Sequence, residues 1–144
     1  MIYTNLTKKA LKLCFTAHRD QVDKTGLPYV FHPFHLAEQM TDELSCVCAL
    51  LHDVVEDTEY TLDDLSEMGF PKEVTEVLSL LTHDPETPYM EYVERLSTNQ
   101  TARAVKLADL RHNSDLSRLD EIDDYARHRN EKYLAAIEFL TKQP

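Results

Sequence analysis

The chain has 144 residues, 42% hydrophobic and 28% charged, which is enough to bury one sizeable core and gives no reason to seek a second domain. Twenty-six acidic residues against 15 Lys and Arg give a formal net charge of -11, which disfavours non-specific binding to nucleic acid or to an acidic membrane. Two glycines interrupt long periodic segments, and neither an apolar run of about 18 residues nor a basic-then-apolar leader occurs. The expectation is therefore an all-α, cytoplasmic, single-domain helical bundle over residues 1–144.

The first helix is predicted from Asn5 or Thr7 through "LTKKALKLCFTAHRDQ", with Leu6, Ala10, Leu13 and Ala17 on one stripe. It ends before "DKTGLPY", where Gly26 and Pro28 break the pattern. In "FHPFHLAEQM", Pro33 suits a first turn, which puts His32 just outside a second helix. "LSCVCALLHDVV" is apolar nearly all round, as a central buried helix should be. "TLDDLSEMGF" reads as a short helix capped by Thr61 and stopped at Gly69, and Pro71 opens "KEVTEVLSLLT". After the turn-rich "HDPETPY", Pro88 starts "YMEYVERLS", and Asn99 caps "QTARAVKLADLRHN". A last helix runs from about Asp123 to Leu140, with Tyr133, Ala136, Ile137 and Leu140 inward and Arg127 and Arg129 on an exposed face. Cys14, Cys46 and Cys48 lack paired spacing and sit among apolar residues, as reduced core thiols do.

The end of the central segment, "HDVVEDTEY", crowds His52, Asp53, Glu56, Asp57 and Glu59 together. Helical spacing sets Asp53 beside Glu56 and Asp57, where like charges repel, and a helix C-terminus disfavours acids further. Apart from Lys24, no Lys or Arg lies between Arg19 and Lys72 to offset them. A divalent metal held by His52 and Asp53 would, the alternative being a solvated acidic helix end. His32 and Asp109, the latter directly after the apolar "VKLA", are the residues that could complete a mixed nitrogen and oxygen site.

The order H...HD...D resembles that of the HD superfamily of metal-dependent phosphohydrolases. "AHRDQVDKTGLPYVFHP", "ALLHDVVEDT" and "VKLADLRHN" resemble, in order and spacing, the three blocks of the RelA/SpoT-type (p)ppGpp hydrolase domain, over roughly residues 10 to 120. The resemblance is to a small, hydrolase-only member. It implies that His32, His52, Asp53 and Asp109 hold one metal, usually Mn²⁺, although this ligand set suits Fe²⁺ and Zn²⁺ as well. It also implies that Glu56 and Asp57 handle the attacking water and that Asn113 contacts a nucleotide, which loses its 3′-pyrophosphate. Lys24, His18 and Tyr29 are further substrate-binding candidates in the first block.

Two departures stand out. Asp23, followed by Lys24, stands where many relatives carry an arginine, which weakens one expected phosphate contact. Leu110 and Arg111 read as transposed, which turns the cation about 100° round a helix. The alternatives are an HD phosphohydrolase for another nucleotide, such as NADPH or (p)ppApp, and a non-catalytic nucleotide-binding module.

Overall fold

The structure is a computed structural model that describes residues 1–142, so Gln143 and Pro144, the end of the expected domain, lie outside the described residues. Among those described, the elements are α1 (Asn5–Ala17), α2 (Phe31–Glu38), α3 (Glu43–Leu51), α4 (Val54–Asp57), α5 (Leu62–Glu67), α6 (Lys72–Leu81), α7 (Tyr89–Leu96), α8 (Gln100–Asn113), a 3-10 turn (Leu116–Arg118) and α9 (Asp124–Lys142). The only extended pairing among them is an isolated bridge between Val22 and Pro28, so the fold is an all-α bundle.

Helix ends follow from local chemistry. Thr4 and Thr61 each make a reciprocal capping box, with Thr7 and Asp64, and Asn99 Oδ1 accepts from the Ala102 amide at 2.9 Å. Gly69 ends α5 at φ +93, and a Cβ there would also meet Lys9 Nζ at 2.7 Å. Every residue of α3 from Ser45 to Leu51 is buried, and α1, α2, α6 and α8 all pack against it. The three cysteines are free and lie in this core.

Three boundaries differ from the expectation. α1 stops at Ala17 rather than running through Gln21, because the buried His18 imidazole turns to pair with Gln21 Oε1 at 2.8 Å. His32 lies inside α2, one residue before Pro33, so the proline shares its turn. The central segment divides at His52–Asp53 into α3 and α4.

Candidate metal centre and substrate cleft

That division aims the acidic residues. Asp53 sits at φ -107 and ψ 1, the sparsely populated bridge region frequent at active sites. It precedes α4 as its N-cap, and Glu56 and Asp57 fall in the first turn of α4. The backbone partial charge they meet is therefore positive, the reverse of the sign expected for one continuous helix, although a four-residue helix makes the effect small.

Three ligand-type atoms from three elements converge: those of His32 on α2, His52 after α3 and Asp109 on α8 all lie within 4.8 Å of one another, and all three residues are buried. His32 Nε2 is 2.9 Å from Asp109 Oδ1. His52 Nδ1 donates to the Ala49 carbonyl at 2.7 Å, which directs Nε2 into the cluster. That Nε2 stands 3.0 Å from Asp53 Oδ2 and 3.5 Å from Asp109 Oδ1, but neither contact is aligned as a hydrogen bond, so it is a buried nitrogen without a partner. Such an atom is costly unless something positive is shared there. A divalent cation fits this donor set.

The electrostatics agree. Burial works against charge on His52, yet Asp53 and then Asp109 raise its pKa well above the ordinary 6.5, so the pocket favours positive charge at Nε2. Burial likewise works against the Asp109 carboxylate, but Lys106 first, and then the close His32 and His52 imidazoles, hold it well below the usual range. Lys106 was not singled out from the sequence. It reaches in from α8, with Nζ 3.0 Å from Asp109 Oδ2 and within 5.3 and 5.8 Å of the Tyr92 and Tyr89 ring centres. No Lys or Arg close to the acids in sequence offsets them, whereas Lys106, distant in sequence, does so in part. Its clue was the i−3 spacing from Asp109.

A second missed residue is His112, whose Nδ1 lies 2.6 Å from His32 Nδ1. Burial, then Arg118 and His32, push its pKa down to about 4. His112 is therefore neutral near pH 7 and can accept the His32 Nδ1–H, leaving Nε2 for a ligand. The remaining candidates divide. The Tyr29 hydroxyl donates to Asp53 Oδ2, so it orients an acid rather than facing outward. His18 is 1% exposed, with its ring centre 4.9 Å from that of Tyr29, behind the cluster. Glu56 and Asp57 are exposed at its rim, and burial together with Asp53 raises both pKa values; the His83 amide donates to Glu56 Oε1 at 3.3 Å. Glu59 is exposed.

On the other side of His32 opens a cleft of about 300 Å³, bordered by Lys24, Tyr29, Asn113, Arg118, Arg129 and Tyr133. Lys24 Nζ is 3.5 Å from the Asn113 carbonyl, and Asn113 Nδ2 donates to Asp109 Oδ1 at 3.0 Å. Arg129, expected on an exposed face, is half-buried against this cleft, while Arg127 is exposed as expected. Leu110 is fully buried, and Arg111 borders a different groove with Gln39 and Asp42, consistent with the turned cation. No helix among the described residues is long and apolar enough to cross a membrane.

No family model matches the chain. Known proteins do. The human guanosine-3′,5′-bis(diphosphate) 3′-pyrophosphohydrolase MESH1 is 36% identical over 131 residues, covering 81% of this chain and 72% of that protein. Its mouse counterpart is 34% identical over 135 residues, covering 83% and 74%. The bifunctional (p)ppGpp synthase/hydrolase SpoT of Escherichia coli is 31% identical over 121 residues, 74% of this chain but 17% of that much longer protein. A solved structure described as a metazoan ortholog of SpoT that hydrolyzes ppGpp superposes with a TM-score of 0.79, covering 99% of this chain and 88% of that one at 24% identity, which supports the fold. With the His–His–Asp cluster in place, these similarities show that the chain belongs to the HD-type guanosine-3′,5′-bis(diphosphate) 3′-pyrophosphohydrolase family.

Proposed function

We propose that this protein removes the 3′-pyrophosphate of ppGpp-type nucleotides, giving GDP or GTP and pyrophosphate. The observation that carries the reading is the buried, unpartnered His52 Nε2 facing His32 and Asp109, in a chain 36% identical to a pyrophosphohydrolase. In this reading Asp53 joins those three as the fourth ligand, and Mn²⁺ is the native metal. When bound, the cation polarises a phosphoryl oxygen and makes coordinated water more acidic.

The side chains do the rest. Lys106 holds Asp109 Oδ2, so Oδ1, which faces His32 and also accepts from Asn113, is the oxygen that would meet the metal, and Tyr29 steadies Asp53. Glu56, whose pKa burial and then Asp53 raise, takes the proton of the attacking water, and Asp57 orients that water. Attack on the phosphorus attached to the ribose 3′ oxygen breaks that P–O bond, and the 3′ oxygen leaves with the proton that Glu56 took from the water. Asn113 and Lys24 bind the nucleotide across the cleft, with Arg129 and Tyr133 facing them from α9. A cytoplasmic location accords with the three reduced cysteines.

The test is a substrate panel with the Mn²⁺-loaded protein, ranking ppGpp, ppApp and NADPH by kcat/KM. The reading expects ppGpp to rank first. A higher value for NADPH would keep the hydrolase and change its substrate, and absence of turnover on any of them would leave a binding module.

A further inference from the structure

Three cations from separate elements border the cleft: Lys24 on the loop after α1, Arg118 on the 3-10 turn and Arg129 on α9. Asp23 is the only carboxylate among the residues that border it. In a protein of net charge -11, this is a locally positive surface built by tertiary contact. The sequence departure at Asp23 is expected to weaken one phosphate contact here, but the fold brings in a cation from a distant segment. Arg118 Nη2 lies 3.4 Å from Asp23 Oδ2, and Nη1 donates to the His112 carbonyl at 2.8 Å.

Asp23 is itself fixed. Its Oδ1 accepts from the Thr25 amide at 2.8 Å, the Thr25 hydroxyl at 2.6 Å and the Leu27 amide at 3.1 Å, in a turn that Gly26 closes at φ +83. A carboxylate so occupied can hold the guanidinium in place. It is a poor ligand for a phosphate, which it would repel. Arg118 is thus pre-set at the border of the cleft, with side-chain exposure of 18%. The crowding of the three cations also shows at Lys24, where burial first, then Arg129 and Arg118, lower the pKa.

We infer that Arg118 is a specificity-determining contact of this site, binding the phosphate group of the nucleotide remote from the scissile one, with Asp23 as its positioning residue. The inference rests on the hydrolase reading for its substrate, and it defines that substrate class further: a nucleotide phosphorylated on two sides of the sugar, one side at the metal cluster and the other at Arg118.

The test uses the full chain loaded with Mn²⁺ and compares ppGpp with guanosine 3′-diphosphate, which lacks the 5′-phosphates. Arg118→Ala is expected to raise KM for ppGpp by roughly tenfold or more, as loss of a charge-assisted phosphate contact does. kcat should stay within about threefold, and KM for guanosine 3′-diphosphate should not change. Arg118→Lys, which keeps the charge and is more conservative for folding, should give an intermediate KM. An unchanged KM for ppGpp, or an equal rise for both substrates, overturns the assignment. Equilibrium dialysis with ppGpp separates this from the hydrolase reading. If the unaltered protein binds without turnover and Arg118→Ala binds at least tenfold more weakly, Arg118 stands and the hydrolase reading falls; if the unaltered protein does not bind ppGpp, both fall.

Discussion

Glu56 and Asp57 follow Asp53 by three and four residues, but the helix break at His52–Asp53 gives them different work. Asp53 is drawn inward by Tyr29 and His52, whereas Glu56 and Asp57 stay at the exposed rim. Burial and the neighbouring Asp53 raise the pKa of Glu56, which brings a carboxylate closer to the range useful for proton transfer at neutral pH. Replacing Glu56 by Gln keeps its size and removes its basicity. Turnover is expected to fall roughly 10²–10⁴-fold while metal content, measured by elemental analysis, stays near that of the unaltered protein. Retained activity in Glu56→Gln would assign the water to another group.

At the scale of elements, the site is only as well placed as α3 and α8. α3 carries His52 at its end and is buried from Ser45 to Leu51, so a cavity there is felt at the metal centre. Leu50→Ala is expected to cost about 2–5 kcal/mol, read as a fall in the denaturation midpoint at unchanged slope. What could be read from the sequence at this scale was local: Thr61 and Asn99 as caps, Gly69 as a stop, and the buried character of "SCVCALL" all depend on neighbours a few residues away. His32, His52 and Asp109 were visible for a different reason, because the spacing of a known family carries them. Lys106, His112, Arg118 and Arg129 were not, since each acquires its role from how α8, the 3-10 turn and α9 pack against the rest. The helix break was hidden too, as "LLHDVV" has no Gly or Pro, and the turn arises from where the His52 ring and Asp53 find partners.

For the whole molecule, a net charge of -11 and a buried His–His–Asp cluster mean that folding, metal and pH are linked. His52 has a folded-state pKa raised above 6.5, so without metal its attraction to Asp53 and Asp109 stabilises the fold fully below about pH 6.5 and is lost as pH rises through the folded value. Bound metal replaces that proton, so its stabilisation should grow as pH rises above neutrality. At a free metal concentration one hundred times Kd, the contribution is about 2.7 kcal/mol, or roughly 5–10 °C in Tm for a chain of this size. Thermal scans with Mn²⁺ and with chelator across about pH 6 to 9 would read it. A gap that does not widen with pH would contradict the linkage.

Hydrolysis of ppGpp by this cluster, loaded with a divalent metal, is read by incubating the purified protein with ppGpp and Mn²⁺ and separating the products. GDP and pyrophosphate are expected in equal amounts, abolished by chelator, restored by added Mn²⁺ and absent from the His52→Ala, Asp53→Ala double variant. Product formation by the unaltered protein no greater than by that variant would contradict it.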